Sequence, residues 1–320
     1  PASSGATTSP EIVEALIEYL KSKGRDRIVI MEGSWVGDRT AAAFKVCGYE
    51  SISKKYNVPL IDLQKDTFTA YETDGLEINI CDSVKKVDYL INIPVLKGHC
   101  QTRITCALKN MKGCIPNAEK RKFHTMGLHK PIAYLNRLIT QNLIIVDGMN
   151  GDLNFEEGGN PVQMNRIIAG KDPVLIDAYA ANLLGFGIDE IPYIPLAERL
   201  GVGSADLDRA EIVELNKDTG ARKLTPSRRV QQLSRHIVED SACSACYGSL
   251  IHALERLDEK GFLNRLKEKL YIGQNFKNQR REGIGVGNCT LGFDRCIKGC
   301  PPRARDIVEY LEDYISKRAI

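Results

Sequence analysis

The chain has 320 residues, a formal net charge of +3 and 43% hydrophobic residues, as expected for a globular protein with an apolar core. So small a net charge disfavours nucleic acid and membrane surfaces as partners. No run of about 18 apolar residues occurs, so we expect no transmembrane helix. The N-terminus lacks the features of a signal peptide and does not begin with Met, so we expect it to be processed or truncated.

Helical and strand patterns alternate through the first two thirds of the chain. Ser9 and Pro10 suit the start of a helix, and apolar residues then recur at helical spacing as far as Gly24. Further helical patterns cover residues 40–49, 50–57 and 172–185, the last opened by Asp172. Short apolar runs predict strands at 27–33, 58–63, 88–96, 143–149 and 165–170.

Strands that are apolar throughout are typical of sheets buried on both faces. Their alternation with helices predicts an α/β fold with a mostly parallel, doubly wound sheet and helices on both faces. After about residue 220 the chain is richer in charge, Cys and Gly, and it ends in a helical pattern at 304–318. We predict an α/β domain with a ligand cleft at residues 1–225 and a small cysteine-rich iron–sulfur module at 226–320.

Five cysteines cluster in the last quarter of the chain: Cys243, Cys246, Cys289, Cys296 and Cys300. The first two are spaced C-x2-C, and the last three are spaced C-x6-C-x3-C followed by two prolines. Thiolate cages of this kind hold zinc or an iron–sulfur cluster, and an ending of C-x3-C-P is typical of bacterial ferredoxins. The spacing therefore favours one 4Fe-4S cluster over a structural zinc ion.

Five thiols compete for four ligand positions. We predict Cys243, Cys246, Cys289 and Cys300 as the ligands, because glycine beside the last two allows close approach of the backbone to a cluster. Cys296 lacks such neighbours and is kept as an alternative ligand. A helix starting near Cys246 would direct its positive end at an anionic cluster.

The remaining cysteines are scattered, and we interpret them as small buried hydrophobic residues. They are Cys47, Cys81, Cys100, Cys106 and Cys114. Because the pattern does not suggest a disulfide scaffold, we expect a reducing cytoplasmic environment.

Basic residues lie close in sequence to the C-terminal cysteines: Arg280, Arg281, Arg295, Lys298, Arg303 and Arg305. We interpret them as ordinary solvated charge. The alternative is that they raise the potential of a cluster or dock an acidic redox partner.

Polar residues follow the predicted central strands of the α/β part. Lys97 and His99 come after the third strand, Lys109 and Asn110 follow them, and Asp147 ends the fourth strand. Ligands of α/β sheets bind beyond the carboxyl ends of strands, so these five residues are candidates for binding an anionic small molecule. His99 is the best general acid–base candidate by its intrinsic pKa.

The loop after Asp147 carries three further carboxylates, Asp152, Glu156 and Glu157, and we expect it to line the same site. Its spacing does not match an EF-hand. No dinucleotide fingerprint, Walker loop or G-x-S-x-G elbow occurs, which argues against a bound dinucleotide, an ATPase and an esterase.

Taken together, several segments resemble the family called domain of unknown function 362. They are residues 8–20, 90–99, 107–113, 146–151, 167–185, SACSACYG and the GNC and GCPP segments. The resemblance implies a soluble protein with a 4Fe-4S cluster in a ferredoxin-like role, held by Cys243, Cys246 and the GNC and GCPP cysteines. It implies no agreed reaction. Two departures are Cys296 and a late start, which suggests that an upstream strand is missing.

We therefore predict a cytoplasmic iron–sulfur protein that transfers single electrons to or from a redox partner protein. Whether it is an enzyme, such as an oxidoreductase, stays open. The alternative is a non-redox enzyme or binding protein for a small anionic substrate, with a structural cluster or zinc. The sequence gives no basis for a nucleic acid or membrane partner.

Overall fold

The computed structural model describes residues 2–155, 160–216, 224 and 228–318. The chain divides into two compact units. The N-terminal unit consists of residues 1–123 and 128–226, and the C-terminal unit consists of residues 124–127 and 227–320. The predicted domain boundary between residues 225 and 226 lies outside the described residues, as do Glu156 and Glu157.

Nine helices are described before residue 217. They are α1 (Pro10–Ser22), α2 (Thr40–Val46), α3 (Tyr49–Tyr56), α4 (Asp82–Lys85), α5 (Ala107–Asn110), α6 (Asn117–Thr125), α7 (His129–Leu138), α8 (Pro173–Leu183) and α9 (Tyr193–Arg199). The predicted helices correspond to α1, α2, α3 and α8. Asp172 caps α8 as expected, because its Oδ1 accepts from the backbone N–H groups of Val174 at 2.8 Å and Leu175 at 3.0 Å. Ser9 precedes α1, but its side chain makes no capping bond.

Nine strands are described in the same part of the chain. They are β1 (Ile30–Glu32), β2 (Leu60–Asp62), β3 (Phe68–Thr73), β4 (Leu76–Cys81), β5 (Ile91–Asn92), β6 (Lys97–His99), β7 (Arg103–Thr105), β8 (Leu143–Asp152) and β9 (Pro161–Gly170). Each of the five predicted strands overlaps one of these.

The described strands of the N-terminal unit pair in four separate sheets. β1 pairs with β2 and β5 with β8 in parallel, whereas β3–β4, β6–β7 and β8–β9 are antiparallel. An α/β fold is therefore confirmed, but these strands do not form one mostly parallel, doubly wound sheet. Eight residues separate β8 from β9, a length that suits a hairpin, and the two strands are antiparallel.

The C-terminal unit is built on a four-stranded sheet in which every pair of neighbours is parallel. Its strands, in the order in which they pair, are β10 (Ile237–Glu239), β11 (Leu270–Ile272), β12 (Arg281–Val286) and β13 (Phe293–Ile297). Its helices are α10 (Arg229–Ser234), α11 (Ser244–Glu259) and α12 (Ala304–Lys317).

The last helix is confirmed within one residue at each end. The apolar stripe expected on α12 is buried, and it consists of Ile307, Val308, Leu311 and Ile315. Helix α11 contacts α12, so the buried stripe helps to form the core of this unit. Among the described residues, no helix has the length and apolar character needed to span a membrane.

The core of the N-terminal unit encloses the carboxyl group of Asp177 on α8, which is fully buried. The backbone N–H of Leu108 lies 3.3 Å from both of its oxygens, and the side chains of Cys106 and Tyr193 also bond to it. Burial raises the pKa of Asp177 to about 7, and these hydrogen bonds oppose the shift.

This pKa makes the stability of the N-terminal unit depend on pH. An unfolded Asp has a pKa of about 3.9, so the folded carboxyl keeps a proton that the unfolded chain releases between about pH 4 and pH 7. The contribution of Asp177 to stability is therefore full below about pH 4 and is lost as the pH rises to about 7. The loss amounts to a few kcal/mol, at about 1.4 kcal/mol per pKa unit.

We expect Asp177→Asn, which cannot ionise, to flatten the fall in stability between pH 4.5 and pH 7. Urea unfolding curves at several pH values measure this. Asp189→Asn, at an exposed position, is the matched control and should keep the wild-type profile. An unchanged pH profile in Asp177→Asn would contradict the assignment.

Candidate functional site

Three of the four C-terminal strands lead directly into the cysteine segments. Cys243 follows the end of β10, Cys289 follows the end of β12, and Cys300 follows the end of β13. Because these strands are parallel, their carboxyl ends lie at one edge of the sheet. The fold thus brings to one place cysteines that are up to 57 residues apart in sequence.

The fourth predicted ligand, Cys246, lies in the first turn of α11. Cys243 is the N-cap residue of this helix, and its carbonyl accepts from the N–H groups of Cys246 at 3.0 Å and Tyr247 at 2.9 Å. The turn therefore holds the two cysteines of the C-x2-C pair at the positive end of a 16-residue helix.

The thiol of Cys246 interacts electrostatically with the other three predicted ligands. Burial is the main cause that raises the pKa of Cys246 to about 12, and the thiols of Cys243, Cys300 and Cys289 contribute to the same shift. Burial also raises the pKa of Cys289, whereas Lys277 lowers it and Cys300 raises it. Such effects weaken with distance, so Cys243, Cys289 and Cys300 lie within electrostatic range of Cys246.

A pair of reciprocal hydrogen bonds joins the segments that carry Cys289 and Cys300. The N–H of Asn288 donates to the carbonyl of Gly299 at 2.9 Å, and the N–H of Gly299 donates to Asn288 Oδ1 at 2.8 Å. Gly299 has a φ of 142°, and a Cβ there would lie 2.3 Å from Pro302 Cα. Only glycine fits this position, because of its φ and the close approach of Pro302.

Cys296 has a different environment. It lies within β13, opposite Gly285, rather than after the end of the strand. Its sulfur is 3.6 Å from the carbonyl oxygen of Gly287 and 3.5 Å from Thr290 Oγ1. It therefore contacts the turn that carries Cys289, and it is not among the groups that shift the pKa of Cys246 or Cys289.

The residues present fit a cluster in donor type and number. Within the described residues, no group of three or more His, Cys, Asp or Glu side chains is arranged to hold a metal ion. In a tetrahedral zinc site, Zn–S bonds of about 2.3 Å would draw all four sulfurs to one centre. In a 4Fe-4S cluster each thiolate binds a different iron atom, so the sulfurs need not converge on one point.

In the N-terminal unit, two of the five predicted cleft residues hold the segment that precedes α1. Lys97 Nζ donates to the carbonyl of Ala6 at 2.8 Å. Asp147 is buried, and its Oδ2 accepts from the N–H of Ser9 at 2.7 Å.

His99 is 2% exposed, and its Nδ1 faces the N–H groups of Gln101 and Thr102, each at 3.1 Å. A nitrogen that accepts these bonds carries no proton, so Nδ1 is engaged in the turn after β6. This arrangement gives His99 a structural part in the hairpin.

The other two predicted residues point to different partners. Lys109 Nζ donates to Thr105 Oγ1 at 3.1 Å, and Thr105 pairs in register with Lys97 across the β6–β7 hairpin. Asn110 donates to Asn92 Oδ1 at 2.7 Å, within a network of buried amides. The structure thus brings Lys97 and Lys109 to one hairpin, and it places Asn110 at an exposed position bonded to Asn92.

The charged pair of Glu32 and Lys120, beside Lys97, was not among the predicted site residues. Glu32 ends β1, is exposed to solvent on one side, and otherwise has protein around its carboxyl group. That desolvation raises the pKa of Glu32, whereas Lys120 and Lys97 lower it. Lys120 is 4% exposed, and its ammonium donates to the carbonyls of Gly33 at 2.8 Å and Ser34 at 2.7 Å.

The position of Glu32 at a strand end was a usable signal, because carboxyl ends of strands commonly line ligand sites. Lys120 gave no signal, since it lies in the charged run AEKRK and looks like a solvated helix surface. Its burial follows from packing that the local pattern does not encode.

Comparison with known proteins found a matching family and a distant relative. The family model described as domain of unknown function (DUF362) matches residues 1–182. A thylakoid-associated protein from Synechocystis sp. is 23% identical over 202 residues, which are 61% of this chain and 62% of that protein. The chain thus spans less than two thirds of the length of this relative. No solved structure matches the chain.

The family match ends before Cys243, so a cluster on the C-terminal cysteines is not part of what the match shows. It does include Glu32, Lys97 and Lys120. Because the matched segment covers more than half of the 320 residues, the chain belongs to the DUF362 family, whose function is unknown.

Proposed function

We propose that the C-terminal unit binds one 4Fe-4S cluster through Cys243, Cys246, Cys289 and Cys300 and serves in one-electron transfer. The observation that carries the proposal is the grouping of these four thiols at the carboxyl edge of a parallel sheet. A cluster bound there would accept or release one electron at a time.

The chain supplies what such a group requires. Four thiolates bind the irons, and the first turn of α11 directs backbone N–H groups and the positive end of the helix dipole toward negative charge. Lys277 adds a positive charge near Cys289. The Asn288–Gly299 pair holds two ligand segments together without using either thiol.

A cytoplasmic location belongs to the same proposal. All ten cysteines are in the described part of the chain, and no disulfide joins any of them. Thiols of this number persist most readily in a reducing compartment.

The direct test is anaerobic analysis of iron, sulfide and zinc in the purified chain, with an EPR spectrum after dithionite reduction. We expect about four irons and four sulfides per chain and a reduced-cluster signal. One zinc without sulfide would replace the redox proposal with a structural metal site. A protein that stays colourless and without an EPR signal after reconstitution would also refute it.

Cysteine variants test the ligand set. We expect Cys300→Ala and Cys289→Ala each to lose most of the bound iron, because each removes a thiolate at the sheet edge. Cys296→Ala should keep about four irons, since its sulfur bonds to the turn rather than facing Cys246. Iron and sulfide content measures this.

Cys47→Ala in the N-terminal unit is the matched control and should retain the full iron content. The opposite result, with iron lost in Cys296→Ala and kept in Cys300→Ala, would make Cys296 the fourth ligand.

A second candidate function is binding of a small anionic molecule in the N-terminal unit. It is favoured by the solvent-accessible Glu32 carboxyl with two lysines, Lys97 and Lys120, beside it. Two ammonium groups and one carboxylate leave a positive charge for an anionic ligand. A carboxyl whose pKa is raised by desolvation is also suited to exchange a proton with that ligand.

Thermal unfolding with millimolar malonate, citrate or inorganic phosphate tests this candidate. We expect at least one of these anions to raise the Tm of the wild type by a few degrees through ligand linkage. Lys97→Met should abolish the shift, whatever its effect on the Tm without ligand. Lys86→Met, at an exposed position, is the control and should keep it. The candidate fails if no anion shifts the Tm or if Lys97→Met responds as the wild type does.

A further inference from the structure

Within the described residues, some of the basic residues near the cysteines contact other side chains of the C-terminal unit, and others do not. Arg281 lies over the ring of Tyr271, with 4.8 Å from its guanidinium carbon to the ring centroid. Arg295 lies 3.5 Å from Asp294 and also faces the ring of Tyr314. These contacts assign both arginines to packing within the C-terminal unit.

Arg305 donates to Glu309 at 2.6 Å on the surface of α12. Arg280 comes immediately before β12 and therefore lies toward the amino ends of the strands, away from the cysteines. Neither residue is placed to meet a molecule that approaches the thiols.

Lys277, Lys298 and Arg303 remain, and we call them the basic rim. All three are exposed, and no ion pair among the described residues engages them. Lys298 and Arg303 flank Cys300 in sequence, and Lys277 lies near enough to Cys289 to lower its pKa. The basic rim therefore surrounds the carboxyl edge of the sheet, where the thiols meet.

Little negative charge opposes the basic rim. The segments that follow the four strands are residues 240–243, 273–280, 287–292 and 298–303. Asp240 is the one carboxylate in these segments, and it accepts a hydrogen bond from Asn275 at 2.8 Å. The edge thus carries more positive than negative charge, although the chain as a whole is nearly neutral.

The ligand segment in the middle of the basic rim reaches the surface. Cys300 is exposed, unlike the other three predicted ligands, which are partly buried. An exposed ligand shortens the distance that an electron travels between the cluster and a partner that docks on that ligand. A positive field around that point steers a negative partner into contact.

We propose that the basic rim docks an acidic one-electron carrier protein against Cys300. This inference rests on the proposed cluster and names its partner. Charge complementarity supports it, because two exposed cations flank the most exposed ligand in sequence and a third lies near Cys289. Such a complex would be short-lived and sensitive to salt, since exposed charges are screened beyond about 10 Å at 0.1 M ionic strength.

The test uses the full chain with its cluster, verified by iron, sulfide and EPR, and an acidic ferredoxin as the carrier. Stopped-flow spectroscopy follows electron transfer in whichever direction the two measured potentials allow. We expect the rate at low salt to fall about tenfold on raising the ionic strength to 0.5 M. The double variant Lys298→Gln and Arg303→Gln should be about tenfold slower than the wild type at low salt and equal to it at high salt.

The matched control is the double variant Lys267→Gln and Arg280→Gln, which removes the same charge near the amino ends of β11 and β12. It should transfer electrons at the wild-type rate. A small-molecule mediator should react with all three proteins alike, which shows that the substitutions leave the cluster competent.

Two results would overturn the proposal while leaving the cluster intact. One is electron transfer from the ferredoxin that is insensitive to salt and equal in the rim and control variants. The other is rim-dependent binding to vesicles containing anionic lipid, with no rim dependence toward the ferredoxin, which would assign the surface to a membrane. Absence of iron and sulfide, by contrast, refutes the proposed function itself.

Discussion

The candidate centre depends on the parallel register of β10 to β13. Parallel strands all present their carboxyl ends at one edge, so three separate segments can each deliver a cysteine to the same place. The register also separates Cys296 from Cys300. Cys296 is within β13 and paired with Gly285, so the alternation of the strand fixes its direction, whereas Cys300 lies beyond the strand and follows the Gly299 turn.

Much of the local structure was predictable because it depends on short-range rules. Pro10 and Asp172 mark helix starts, and the stripe on α12 has helical spacing. The β3–β4 hairpin was missed although Asp74 and Gly75 carry its signal, both with positive φ values as a tight turn requires.

The arrangement of strands into sheets was not predictable in the same way. An apolar run predicts a buried strand but gives neither its partner nor its direction. The length of a connection carries part of that information, and the eight residues between β8 and β9 indicate a hairpin. In the C-terminal unit, short links join parallel strands instead, at residues 273–280 and 287–292, so length alone does not decide direction.

The predicted cleft shows the limit of reasoning from strand ends. Lys109 and Asn110 follow a strand in sequence, but Lys109 is buried, and Asn110, although exposed, bonds to the buried Asn92 and through it to Gln141. Buried amides must find partners, and Asn92 and Gln141 satisfy one another. Position along the chain therefore indicated the right region, while hydrogen bonding decided which side chains already have protein partners.

One candidate site lies inside the segment that matches the family, and the other lies outside it. Glu32, Lys97 and Lys120 lie inside the segment that matches the family, whereas all four proposed cluster ligands lie beyond residue 182. Within the N-terminal unit, the carbonyls of Gly33 and Ser34 hold the amino group of Lys120 near Glu32, where Lys120 opposes the rise that desolvation causes in the pKa of that carboxyl. That arrangement uses no residue of the cysteine segments. A function shared by the whole family would therefore depend on residues such as Glu32. The proposed one-electron transfer would depend on the C-terminal unit, where the parallel sheet places the cysteine segments at one edge.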